Sequence, residues 1–258
     1  MPLAQAYRGY TKTMWDRLSA LATWQPDVTL SVGDVVTAGA GGVVTRETTL
    51  ADLSAPRQLT SLRREAAAVR EHSGVTISAS GSAVVAAAGK ARASFAGESS
   101  FLVVTSQGWT DATERMADAR AIVEDLAARQ LWKPGWHLVT SVRSYPACTI
   151  VIAKNAGAEA EVAIDLSAAG VAVPEGIRAG VAVSVNSDHA SHWVMSFDST
   201  PFYEAIGMKR RGLLRRANAD TVEYLTRDHD VTEAVAPLSE DEVIWTAQRS
   251  SPFDLGLL

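Results

Sequence analysis

Residues able to do acid–base or metal chemistry are few in this chain and scattered along it. The histidines are His72, His137, His189, His192 and His229, and none stands in an HExxH or a G-x-S-x-G context. Asp188, His189 and His192 could supply a carboxylate and two imidazoles. On a strand, however, an i, i+3 pair faces opposite sides, so a polar loop is the simpler reading. Arg227-Asp-His-Asp230 reads in the same way as a polar turn. Gly39-Ala-Gly-Gly42 lacks the Lys-Ser/Thr of a phosphate-binding loop and reads as a hairpin turn. No pair of carboxylates stands out, and the many Ser and Thr residues lack a basic partner at a recognisable spacing. The expectation is a protein that is not an enzyme, with no cofactor and no metal.

Electrostatics offers a second kind of chemistry. Lys209, Arg210, Arg211, Arg215 and Arg216 put five positive charges into eight residues of a 258-residue chain in which 24 Lys and Arg face 29 Asp and Glu. Such a cluster attracts anionic lipid headgroups or phosphates, each charge contributing about 1 kcal/mol near a lipid surface. A solvated helix face balancing nearby acids is the alternative. The net charge of -5 argues against wholesale nucleic-acid binding, and no aromatic interleaving accompanies the charges.

The most distinctive pattern is a two-residue alternation from Gly74 to Ser106. Its odd positions carry small or apolar residues, among them Val75, Ile77, Val85, Phe95, Phe101 and Val103, while Thr76, Ser78, Ser80, Ser82, Lys90, Arg92 and Ser94 lie between them. This is β periodicity with one apolar and one polar face. A single strand of about 30 residues would reach about 100 Å, so the run must fold back. Preserved parity requires an odd loop or a bulge, which places the reversal at 86–90 around Gly89. A ribbon of this length, with one apolar and one polar face, meets requirements for a membrane-inserting β-hairpin; a plain hairpin packed on a helix meets them equally. Small side chains also suit a segment that changes partners.

The elements around these features read as α+β. Leu3, Tyr7, Tyr10, Met14, Leu18 and Leu21 form one apolar stripe of a helix over 3–24, docked on the core or lying on a membrane surface. Short strands follow from Asp27 to Leu53, and Pro56 opens a helix whose inner face is Leu59, Leu62, Ala66 and Val69. Asp111-Ala-Thr-Glu114 resembles a capping box for a helix through Arg129. Strands are expected at 136–142, 149–153, 160–166, 180–185 and 193–197, then a helix capped by Thr200 with Pro201 at its first position, and a last one capped at Ser239. The expected organisation is one domain, a twisted antiparallel sheet with long hairpins and flanking helices over 1–217, followed by a C-terminal appendage over 218–258 that is a candidate regulatory tail.

A hydrophobic share of 47% is ample for a core. The one cysteine, Cys148, lies in an apolar run and reads as a small buried hydrophobe. The N-terminal region has no continuous apolar segment, and no stretch of about 18 apolar residues occurs, so a cytoplasmic location without a helical anchor is expected.

The order of an N-terminal amphipathic helix, short strands, an arginine-rich stretch and then Val75-Thr-Ile-Ser-Ala-Ser-Gly-Ser-Ala-Val84 resembles the pore-forming domain of gasdermins. Trp136-His-Leu-Val-Thr-Ser-Val142 is similar to a strand of that family, and Ser196-Phe-Asp-Ser-Thr-Pro-Phe202 is a looser echo of another. The likeness covers roughly residues 5 to 210. It implies a latent pore former that binds anionic membrane, oligomerises, inserts β-hairpins and moves from cytoplasm to membrane after an activating protease removes an inhibitory tail. It differs from bacterial members in having no cysteine near the N-terminus. The alternative is a non-enzymatic β-rich interaction or assembly module.

Overall fold

The computed structural model describes residues 2–23, 28–39, 43–55, 57–79, 88–97, 100–165, 184–185, 190–195, 198–211 and 244–250. Its elements run α1 (Pro2–Leu18), β1 (Leu21–Ala22), β2 (Asp34–Ala38), β3 (Val44–Thr49), β4 (Ser61–Ala66), β5 (Arg70–Ser73), β6 (Val75–Ala79), β7 (Ala88–Phe95), β8 (Phe101–Thr105) and β9 (Gly108–Thr113). Then come α2 (Met116–Ala128), β10 (His137–Tyr145), β11 (Cys148–Ala153), β12 (Glu159–Asp165), β13 (Ser184–Val185), β14 (Ala190–Met195), β15 (Ser199–Arg211) and β16 (Ile244–Arg249).

Every ladder is antiparallel, and the strands form three sheets. The first has the order β1-β15-β10-β2-β3, with β16 added to β15, β9 to β10 and β4 to β9. The second runs β14-β11-β8-β5 and the third β13-β12-β7-β6. Alternation assigns the two faces of the first sheet. Val36, Val139 and Ala205 join a core with α1 and the second sheet, whereas Val35, Leu138 and Ile206 pack against Ile122, Val123 and Leu126 of α2. The third sheet lies on the far side of the second, over a core of its own. The result is one α+β unit in layers.

Helix α1 buries the centre of the expected stripe, with Tyr7, Tyr10 and Met14 at most 1% exposed and Leu18 half-buried; the Leu3 side chain lies outside those described. It ends earlier than the spacing predicts. Ser19 takes φ 51°, which breaks the helix, and Leu21 enters β1, where it lies opposite Tyr203. The Tyr7 hydroxyl donates to the Ala22 carbonyl at 2.7 Å and ties the two pieces together.

Three expected helical features are replaced by strand. Leu59, Leu62, Ala66 and Val69 have helical spacing, yet 61–66 is β4, an edge strand paired only with β9 among the described residues. Leu62 is 43% exposed, and Arg63 forks onto Asp111 across the ladder at 2.8 and 2.7 Å. Charge on an edge strand is what keeps such an edge from pairing further, and it imitates the polar face of a helix in sequence. The supposed capping box lies in β9 and its last turn; α2 begins at Met116 behind Arg115, which makes no side-chain cap. Residues 199–204 open β15 rather than a helix. Pro201 is tolerated there because the register slips between Arg143 and Tyr145, a bulge that asks no hydrogen bond of its nitrogen. Thr200 caps nothing; its hydroxyl accepts from the Leu30 N–H at 2.9 Å and donates to the Val28 carbonyl at 2.7 Å.

Candidate functional site

The alternating segment divides between two layers. β6 and β7 pair with Val75 opposite Phe95, Ile77 opposite Ala93 and Ala79 opposite Ala91, so odd positions meet odd positions, as an odd connection requires. That connection falls within 80–87. Gly89 is not the turn; it sits in β7 opposite Ile164 of β12. Val85 lies outside the described residues.

Beyond Phe95 the faces exchange. Ala91, Ala93 and Phe95 are buried against Leu102, Val104 and Val151 of the second sheet, with Val75 and Ile77 half-buried beside them. Phe101 and Val103 point the other way, into the main core, where Tyr10 meets Phe101 edge-on at 5.5 Å. β8 is therefore covered on both sides. The six ribbon residues do not form one lipid-ready stripe: Val75, Ile77 and Phe95 share a face, and Phe101 and Val103 belong to the scaffold beneath.

A second ribbon accompanies the first. β12 and β13 pair through Ala160–Val185 and Glu161–Ser184, and β12 also pairs with β7 over seven positions from Glu159–Ser94 to Asp165–Ala88. The strand orders of the second and third sheets match element for element. β5 runs on into β6, β8 follows β7, β11 leads to β12 and β14 follows β13, so the chain forms two long hairpins folded over a common crease. The sequence names both 160–166 and 180–185 as strands; the signal that groups them with 75–95 is the same alternation, in Glu159-Ala-Glu-Val-Ala-Ile-Asp165.

The crease has a specific construction. Gly74 separates β5 from β6 at φ +61°, and a Cβ there would collide with the Ser100 hydroxyl. Neighbouring strands bend at the same level and are stitched together: Ala96 N–H to Gly74 O at 2.8 Å, Phe95 N–H to Ala158 O at 2.9 Å, and Ala153 N–H to Ser100 O at 2.9 Å. Gly157, at φ +76°, completes the bend between β11 and β12. The described side chains of the third sheet that enter this core are mostly small. Ala91, Ala93 and Ala160 bury one methyl each, about 0.8 kcal/mol apiece, and among the described residues Phe95 is the one aromatic in this core. The outer face is polar, with Thr76, Ser78 and Arg92 exposed and Arg92 3.9 Å from Glu159 in a solvated pair of little strength.

The basic run is placed on a strand. Lys209, Arg210 and Arg211 end β15 opposite Thr246, Trp245 and Ile244 of β16, so a helix face is not their setting. Arg215 and Arg216 lie outside the described residues, as do His189, His229 and the cap expected at Ser239. The 218–258 segment thus contributes an integral strand to the first sheet, and Ser250 beyond it donates its N–H to Ala205 O at 2.7 Å.

Cys148 is buried in the main core, and burial pushes its thiol up to about 12, consistent with a packing role. Among the described residues no group of three His, Cys, Asp or Glu side chains could hold a metal, and no helix is long and apolar enough to cross a membrane. No protein-family model matches the chain, and no curated protein does.

Proposed function

We propose that the chain is a latent pore-forming protein whose two folded hairpins open at the crease and insert into anionic membrane as an oligomer. The observation that carries this reading is the crease itself, where two hairpins lie side by side and fold at Gly74 and Gly157 over a core whose described residues are five alanines with Phe95, Leu102, Val104 and Val151. Straightened, β5 and β6 make ten residues, Arg70 to Ala79, which at about 3.3 Å per residue matches the 9–11 residues of a membrane-crossing strand. Four antiparallel strands per copy, closed through neighbouring copies, would leave no edge unpaired in lipid.

In this reading Lys209, Arg210, Arg211, Arg215 and Arg216 meet anionic headgroups, and β16 restrains the first three by pairing with β15. A cut between 217 and 244 would leave β16 held only by its own contacts, so a protease is the natural trigger. The resemblance to gasdermins supports the same sequence of events.

The test is dye release from liposomes containing anionic lipid, before and after limited proteolysis within 217–243. Release only after cleavage, with loss of release in neutral liposomes, is expected. No release from a cleaved, folded chain would overturn the proposal, and stable assembly without lipid and without release would favour a β-rich assembly module instead.

A further inference from the structure

A groove of about 680 Å³ opens beside the last turn of α2. Its walls are Ala127 and Ala128 in the last turn of α2, Trp132 and Trp136 in the connection that follows, and Met208 of β15. The volume is that of a small-molecule site, and such sites combine apolar walls with a few fixed polar groups. Both conditions hold. The two indoles stand edge to face at 5.8 Å and 85°, and Trp136 is buried in the α2 core, so this wall is rigid.

Two of the lining residues make a buried polar pair, His137 Nδ1 and Ser250 Oγ at 2.7 Å. Gly207 makes room for it, because a Cβ at that position would sit 2.6 Å from His137 Nδ1. The Lys133 ammonium is held 5.1 Å from the centre of the Trp136 ring, and it makes no ion pair among the described residues. A cation fixed over an aromatic wall and lacking a carboxylate partner is a receptor for an anion. Among the described residues the lining holds one Lys and no Arg, so a second carboxylate would find no further permanent cation beside it.

We infer that this groove binds an apolar monocarboxylate, with an acyl or aryl body against Trp132, Trp136 and Met208 and its carboxylate on Lys133. Because Ser250 follows β16 directly and Gly207 and Met208 belong to β15, an occupant touches both strands of the β15–β16 seam. Binding therefore stabilises that seam by mass action. The assignment stands whether or not the chain forms pores.

The test is calorimetric titration of the full chain with decanoate and with 1-naphthoate, using decan-1-ol as the uncharged control and decanedioate as the diacid. One saturable site for at least one monoacid is expected, with the tighter of the two identifying the body as acyl or aryl. Lys133→Ala should weaken the monoacid about tenfold without changing decan-1-ol, and Lys133→Arg should restore it, since a guanidinium also stacks on indole. Ala127→Phe, on a half-buried helix position, should abolish binding while the melting temperature holds. The bound monoacid should also slow amide exchange at 206–211. Absence of saturable binding by either monoacid, an unchanged affinity in Lys133→Ala, or equal binding of decanedioate would overturn the inference.

Discussion

Gly74→Ala tests whether the crease is a built hinge. Two effects add. At φ +61° a Cβ costs about 1–2 kcal/mol through its approach to the following carbonyl. It also runs into the Ser100 hydroxyl, a buried group that accepts the Gly97 N–H at 3.2 Å, and displacing that hydroxyl forfeits about 1 kcal/mol. The variant should therefore lose about 2–3 kcal/mol of stability in urea denaturation. Ser100→Gly in the same chain removes the collision but not the backbone strain, so the double variant should recover about 1 kcal/mol relative to the sum of the single losses. Amide exchange should rise across β6 and β7, while β10 and β15 of the first sheet keep their protection. A cost below about 0.5 kcal/mol, or a loss of protection spread evenly over all three sheets, would refute the hinge.

Other consequences follow from the same packing. Phe95→Ala removes a buried aromatic from the core beneath the third sheet; it should cost about 3 kcal/mol, read by denaturation, and speed dye release from the cleaved chain. The hydrogen bonds from Arg63 hold the Asp111 carboxyl below the usual carboxylate range, so NMR titration should find a low midpoint that Arg63→Ala returns to normal. Because the folded value is the lower one, the associated stability is present above the unfolded value near pH 4 and is lost as pH falls through the depressed folded value. The Cys148 thiol, pushed up to about 12 by burial, should resist an aromatic disulfide reagent at pH 8 and react only as the chain unfolds.

Much of the architecture is legible in the residues because periodicity reports burial on one side. The Tyr7, Tyr10 and Met14 stripe, the α2 face through Leu126, and the strands at 137–145, 148–153 and 159–165 all have one neighbour face or a continuous apolar run. The failures have a shared physical origin. β4 is an exposed edge whose Arg63 answers Asp111 across the ladder, so its apolar spacing carries no burial information. Pro201 imitates a helix start until the bulge opposite Arg143 and Tyr145 is known. Within the alternating segment, parity predicts like facing like across β6 and β7, but it is blind to the exchange of faces between β7 and β8. After that exchange Leu102 and Val104, rather than Phe101 and Val103, face the third sheet. The second hairpin is missed as a partner because periodicity does not say which strands pair: β12 meets β13 at Ala160–Val185 and Glu161–Ser184 and β7 from Glu159–Ser94 to Asp165–Ala88.

The central claim, that the third sheet leaves its alanine core for lipid, is tested most directly by depth-dependent quenching. Single cysteines at Val75, Thr76, Ile77 and Ser78, in a chain carrying Cys148→Ala, would be labelled with a small fluorophore and mixed with anionic liposomes containing a spin-labelled lipid quencher. After cleavage within 217–243, labels at 75 and 77 should be quenched and those at 76 and 78 should not, a two-residue period reporting a strand with one face in hydrocarbon. Equal quenching at all four positions, or none at any, would contradict the account.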